Sequence, residues 1–124
     1  MMETYFCPNC GHRSLEVQEI CPACGYTLAD HTALSYDERL IMALRHPIRE
    51  TRMIAIEILG KRQYAPAVAA FADLLATETD YYTVREVVRA LRRIDTPESI
   101  ALERGLSSHP SPLVRALLEE PCTR

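Results

Sequence analysis

From Ala33 onward the chain alternates between stretches with apolar residues at helical spacing and short breaks rich in Pro, Gly, Asp or Ser. This pattern predicts six helices. The first covers about residues 35–46 and opens on Ser35-Tyr36-Asp37-Glu38, a capping box with Ser35 as N-cap and Glu38 at N3. The second starts at Pro47 and stops at Gly60, in keeping with the preference for proline in a first turn and glycine after a last one. The third covers about 65–77, with Pro66 near its start, and the fourth about 83–94. The fifth opens on Thr96-Pro97 and ends near Ser107; the sixth opens on Ser111-Pro112 and ends before Pro121. In both, a hydroxyl N-cap precedes a proline at N1. Before Ala33 the pattern is different: Leu15-Glu16-Val17-Gln18 alternates as a strand does. Ala29 to Leu34 reads as a short linker.

The helices fall into pairs that repeat. His46-Pro47-Ile48-Arg49-Glu50-Thr51-Arg52 aligns with His109-Pro110-Ser111-Pro112-Leu113-Val114-Arg115, and Thr79 to Arg85 falls between them with the same six-residue step to arginine. Arg52, Arg85 and Arg115 are therefore equivalent positions. A period near thirty residues with two helices per unit predicts an α-solenoid, because one hairpin cannot bury its apolar face without a stacked neighbour. Val84 to Glu98 and Ile56 to Lys61 resemble the short HEAT-like repeats of the phycobilin lyases and of many prokaryotic proteins. The resemblance covers about residues 35–120. It implies an inter-repeat ladder of turn acid and helix arginine, with Arg85 against Asp80 and with His46 and His109 in the acid's place elsewhere.

The N-terminal segment carries the chemistry. Cys7-Pro8-Asn9-Cys10-Gly11 and Cys21-Pro22-Ala23-Cys24-Gly25 are near-identical knuckles. Two residues between cysteines let one tight turn aim both sulfurs at one ion, and four thiolates complete a tetrahedral zinc site. Glycine after the second cysteine permits the positive φ that turns backbone N–H groups toward the thiolates; proline after the first sets φ for the turn. The ten residues between Cys10 and Cys21 leave room for a short β-hairpin. His12 is a competing candidate ligand and iron a competing metal, but a closed four-thiolate set argues against a fifth ligand. Four thiolates also leave no open position for catalysis, so the metal expected of Cys7, Cys10, Cys21 and Cys24 is one structural Zn²⁺. About thirty residues hold too little core to fold alone, so metal binding drives their folding. The knuckles and the following Tyr26-Thr27-Leu28 resemble the short zinc ribbons that open many prokaryotic proteins. That resemblance implies an adaptor or recruitment module over residues 5–28.

Composition narrows the function. The chain has 124 residues, 48% hydrophobic and 25% charged, the range of globular protein. No apolar run is long enough to cross a membrane, and the N-terminus has no basic-then-apolar signal pattern, so a cytoplasmic location is expected. Paired CxxC spacing suits a metal in a reducing compartment better than disulfides. Residues 1–30 carry Glu3, Glu16, Glu19 and Asp30 against Arg13 alone, whereas residues 31–124 are balanced, with arginine dominating their bases. A neutral stack is not the basic footprint of a nucleic-acid binder. Arg85, Arg89, Arg92 and Arg93 still share one helix face, either as an anion-binding stripe or as salt bridges to Glu57, Glu86 and Glu119.

No catalytic constellation emerges. His31, His46 and His109 are isolated and read as turn or capping residues. Ser107-Ser108-His109 lacks an acidic third member. The four glycines lie in knuckles or near helix ends, which excludes a Gly-rich phosphate loop. Cys122 reads as a free tail thiol. Tyr81 and Tyr82 are candidate partner contacts or packing residues, and Leu113, Val114, Leu117 and Leu118 suggest pairing with another copy or a partner at the C-terminal end. The expected architecture is mostly α: a zinc ribbon over residues 1–30, then three HEAT-like hairpins over residues 31–124, with the ribbon packed on the first hairpin as its cap. The expected function is that of a non-enzymatic scaffold or adaptor for another protein, its identity open. A nucleic-acid-associated factor and an accessory factor for an enzyme are the alternatives.

Overall fold

A computed structural model describes residues 4–119 of the chain; Glu120 and Cys122 lie outside them. The N-terminal part holds a two-stranded antiparallel ribbon, β1 (Tyr5–Phe6) and β2 (Arg13–Ser14), with Tyr5 opposite Ser14 and Phe6 opposite Arg13. Seven α-helices follow: α1 (Leu28–Ala33), α2 (Tyr36–Ala43), α3 (Arg49–Lys61), α4 (Ala67–Thr77), α5 (Tyr81–Ile94), α6 (Pro97–Gly105) and α7 (Pro112–Leu117), with a short 3-10 turn at Leu106–Ser108.

The six expected helices are α2 to α7. α2 packs on α3 and α4 on α5, α6 packs on α5 and on α4, and α3, α5 and α7 stack side by side, α3 against α5 and α5 against α7. α5 is central because it is apolar on two sides. Val87, Ala90, Leu91 and Ile94 join Ala55, Ile56, Leu59 and Phe71 in the larger core. Val84 and Val88 join Leu106, Val114 and Leu117 in a second core at the C-terminal end. The predicted apolar cluster of the last helix is thus divided: Val114 and Leu117 are buried, Leu118 is half-buried and Leu113 is exposed.

Capping follows local chemistry where the caps are short polar side chains. Ser35 and Glu38 form both halves of the expected capping box. Thr96 caps α6, and Ser99 returns the bond to its backbone N–H. Asp80 caps α5 by accepting from the Thr83 N–H at 3.0 Å and the Thr83 hydroxyl at 2.8 Å. These bonds, with the positive charge of Arg49 and Arg52, hold the Asp80 carboxyl below its ordinary value of 3.8 despite partial burial. A lowered carboxylate pKa contributes stability that is present above the ordinary value and is lost as pH falls through the folded-state value. Asp80→Ala is therefore expected to lower stability by about 1 kcal/mol at neutral pH, the usual scale of an N-cap, and to cost less in acid. Urea midpoints of both proteins across the acid range check this; a difference independent of pH would contradict it.

Four expectations need correction. The strand falls at Arg13–Ser14 rather than at residues 15–18, because pairing with β1 and not alternation selects it. The expected linker contains α1; Arg39 donates to the carbonyls of His31 (3.2 Å) and Thr32 (3.0 Å) at its C-terminal end. A six-residue helix held by a tertiary contact is too short to announce itself by period. α3 begins after Ile48, not at Pro47, since the His46 ring caps the Ile48 N–H and the chain at Ile48 is extended. Gly60 does not stop α3: it is buried within the helix, and left-handed backbone comes later, at Gln63 (φ 51).

Candidate metal centre

The two knuckles fold alike. In the first, the Cys7 N–H donates to the His12 carbonyl and the Gly11 N–H to the Cys7 carbonyl, both at 2.9 Å; in the second, Cys21 to Tyr26 and Gly25 to Cys21 repeat those bonds at 2.9 Å. Gly11 and Gly25 have φ of 79 and 78, as the tight turns require. Backbone N–H groups then point at sulfur: that of His12 at Cys10, that of Tyr26 at Cys24, and those of Ala23 and Cys24 at Cys21.

The four sulfurs converge. Cys7 Sγ lies 3.7 Å from Cys24 Sγ, and Cys10 Sγ lies 3.6 Å from Cys21 Sγ; all four are within 4.8 Å of one another. A tetrahedral ion with bonds of about 2.3 Å needs sulfurs about 3.8 Å apart, so the donor set fits a metal of zinc's size. Cys21 is buried, Cys7 and Cys10 are half-buried and Cys24 is exposed. His12 is exposed and takes no part in the cluster. Titration reflects crowding. The Asn9 amide (3.5 Å from Cys24 Sγ) and the Tyr26 N–H pull Cys24 down to about 6. At Cys10 the His12 N–H favours the thiolate, but burial and the bonds with Cys21, Cys24 and Cys7 outweigh it and push the thiol up to about 12. Protons in so tight a set of thiols leave one after another, and only a bound cation stabilises four thiolates together.

The cysteine segment rests on the first helical hairpin. The Tyr26 hydroxyl donates to Met42 Sδ at 3.3 Å. Gly11 abuts the His46 ring; a Cβ there would lie 3.1 Å from Cε1. His46 is buried and its Nδ1 accepts from the Ile48 N–H at 3.1 Å, while the Arg52 guanidinium donates to the His46 carbonyl at 2.8 Å. His109 repeats this arrangement, with Nδ1 accepting from Ser111 (3.0 Å) and Arg115 donating to the His109 carbonyl at 2.6 Å. These two histidines are turn caps, as expected. His31 differs: it lies inside α1, edge-on to Tyr26, and burial followed by Arg39 lowers its pKa. The Ser108 hydroxyl donates to the Gly105 carbonyl, so it does not face His109.

The implied ladder takes another form. Asp80 pairs with Arg49 of the preceding repeat at 3.7 Å rather than with Arg85, and Arg49 also stacks over the exposed Tyr82 ring at 5.6 Å. Tyr81 packs on the C-terminal core. Two arginines of the stripe, Arg89 and Arg92, are paired within the molecule. Arg92 is only 11% exposed and donates to Glu103 (2.7 Å) and to the Leu117 carbonyl (2.9 Å), not to Glu119. Arg89 lies 3.8 Å from Glu86, and Glu57 is held ionised mainly by Lys61 at 2.8 Å, with a smaller part from Arg93. Sequence reasoning missed the Arg92–Glu103 pair because it joins different hairpins.

Stacked helices, with Arg52 of α3 and Arg115 of α7 each bonding back to the turn carbonyl before its helix, define a helical-repeat protein. The model of the HEAT repeats family matches residues 37–120, more than half of the 124 residues, and the chain belongs to that family. No curated protein matches the chain, and no solved structure does. No helix among the described residues is long and apolar enough to cross a membrane.

Proposed function

We infer that the protein is a non-enzymatic adaptor that binds another protein. Residues 1–30 form a zinc ribbon that holds one structural Zn²⁺ through Cys7, Cys10, Cys21 and Cys24, and residues 31–124 form the HEAT-like stack. HEAT repeats commonly serve as protein-interaction scaffolds, and the observation that carries the reading is the stack itself. Arg52 caps the His46 carbonyl and Arg92 pairs with Glu103 across repeats, which supports a fixed surface rather than a reactive site. The thiol cluster supports a structural role because four sulfurs at tetrahedral spacing leave no ligand position open. Against the nucleic-acid reading, Arg92 is turned inward and the ribbon is acidic. Self-association through the C-terminal helices would rest mainly on Leu113, since Val114 and Leu117 are used in the chain's own core.

The test is affinity purification of the tagged full-length protein from its native host, followed by mass spectrometry. A protein complex that survives nuclease and high salt is the expected result. Nucleic acid released steeply by salt, or reproducible turnover of a small molecule, would overturn the adaptor reading.

A further inference from the structure

The chain carries two near-identical knuckles and two near-identical turns, and each pair is used unequally. A Cβ at Gly11 would lie 3.1 Å from His46 Cε1 and 3.4 Å from Ile48 Cδ1, whereas nothing lies within 4 Å of a Cβ at Gly25. Of the two knuckle glycines, that of the first knuckle alone meets the helices. His46 and His109 make the same two bonds: Nδ1 accepts from the N–H two residues on, and the carbonyl accepts from the arginine six residues on. Yet His46 is 5% exposed, while His109 is only half-buried. The first knuckle surrounds the His46 turn. Asn9 lines a groove of about 930 Å³ together with His46 and Pro47, and Cys7 and Pro8 line a cleft of about 530 Å³ together with His46 and Ile48. The ring that caps the start of α3 is thus packed against a knuckle whose sulfurs belong to the metal centre.

We propose that the first knuckle and the His46 turn are one coupled unit: metal binding at the four cysteines fixes the start of α3, and the His46 ring in return tightens metal binding. The proposal rests on the reading of the cysteine cluster as a metal site. The physical route is short. Metal holds Cys7 and Cys10 in the tight turn that presents Gly11. Glycine there, at φ 79, offers bare backbone, so the flat imidazole seats directly on it. The seated ring keeps Nδ1 aimed at the Ile48 N–H, a donor that would otherwise be left to solvent. When the metal leaves, the knuckle relaxes and the ring loses its seat. Linkage demands the reverse effect by the same factor: a contact made by the metal-bound knuckle alone adds to metal affinity. The larger helical core contains no residue of the cysteine segment, so the response is confined to the first turn of α3. The His109 turn, whose bonds involve no residue of the ribbon, is a built-in reference.

Amide hydrogen exchange of the full-length protein, zinc-loaded and after EDTA treatment, is the first test. The amides to follow are Ile48, bonded to His46 Nδ1, and Arg52, which donates to the Ile48 carbonyl at 3.3 Å. Metal removal should speed their exchange about tenfold, within the usual range for coupled sites. Their counterparts, Ser111 and Arg115, should not change. The reciprocal arm measures zinc affinity by competition with a chromogenic chelator. His46→Asn keeps a side chain able to cap the Ile48 N–H but removes the ring from Gly11, and should bind zinc about tenfold more weakly. His109→Asn should bind zinc as tightly as the unaltered chain. Equal exchange at Ile48 with and without metal overturns the proposal, as does an acceleration that reaches Ser111 equally. A folded His46→Asn protein with unaltered zinc affinity overturns it too. Should that variant fail to fold, the exchange comparison on the unaltered chain decides alone. A chain that takes up no zinc in the competition assay overturns the metal reading and the coupling together; zinc bound without effect at Ile48 overturns the coupling and leaves the metal reading standing.

Discussion

Chelation with excess EDTA is expected to unfold residues 1–30 while most of the helical circular dichroism signal remains. The ribbon has two-residue strands and a single isolated bridge, Ile20 with Thr27, besides them. Its exposed Phe6, Leu15, Val17 and Ile20 show that little apolar surface is buried there, so metal coordination is expected to supply its folding energy. Structural zinc is worth on the order of 10–16 kcal/mol in small zinc-binding peptides near neutral pH, more than so small a fold can replace. The helices do not share this dependence. Their larger core runs from Leu40 to Ile94 and contains no residue of the cysteine segment. The contacts between the parts include Tyr26 with Met42, Gly11 with His46 and Ile48, and Arg39 with the end of α1. Cys21→Ser, which alters the most buried of the four cysteines, should reproduce the effect. Metal analysis of the native protein should find a single zinc ion per chain, released as the ribbon's amide signals collapse. Complete loss of helicity on chelation would instead make the ribbon an obligatory cap of the stack.

Gly60→Ala should destabilise the protein by about 1–2 kcal/mol, against the direction that helix propensity gives. Alanine at a helix interior is favoured over glycine by about 1 kcal/mol. At Gly60, however, a Cβ would lie 2.8 Å from Ala90 Cα and 2.9 Å from Ala90 Cβ. Neither atom can rotate away, so α3 and α5 must separate, and overpacking of this kind costs about 1–3 kcal/mol or more. The α3–α5 contact is the most extensive between helices, and its separation would loosen the core around Ile56, Leu59 and Leu91. Gly60→Leu should therefore cost still more. Gly105→Ala is the matched control: nothing lies within 4 Å of a Cβ there, and propensity alone should leave stability unchanged or raise it by up to about 1 kcal/mol. Urea midpoints rank the three variants. A Gly60→Ala protein as stable as the original would contradict the close approach of the two helices.

Gly60 also shows where sequence reading stops. Glycine after an apolar run resembles a helix stop, and nothing near it in the chain reveals that Ala90, thirty residues away, needs the space. Pro47 misleads similarly: its own preference suits a first helical turn, but the buried His46 ring bonds the Ile48 N–H and delays α3. Arg92 sits on a helix face that looks solvated, yet Glu103 and the Leu117 carbonyl, both from the next repeat, draw it inward.

The sequence by itself determined the features that depend on residues close together along the chain. These are the six repeat helices, the caps at Ser35 and Thr96, the equivalence of His46 with His109 and of Arg52 with Arg115, and the convergence of four thiols from two tight turns. Each is short-ranged, so spacing and side-chain chemistry suffice. Only the tertiary structure decided the features that depend on distant residues. α1 exists where Arg39 binds its last carbonyls, α3 continues through Gly60 because α5 offers a small residue, and Asp80 meets Arg49 rather than Arg85. Packing places the repeats, and it brings His46 of the first hairpin against Gly11 of the ribbon while Phe6 and Val17 stay exposed.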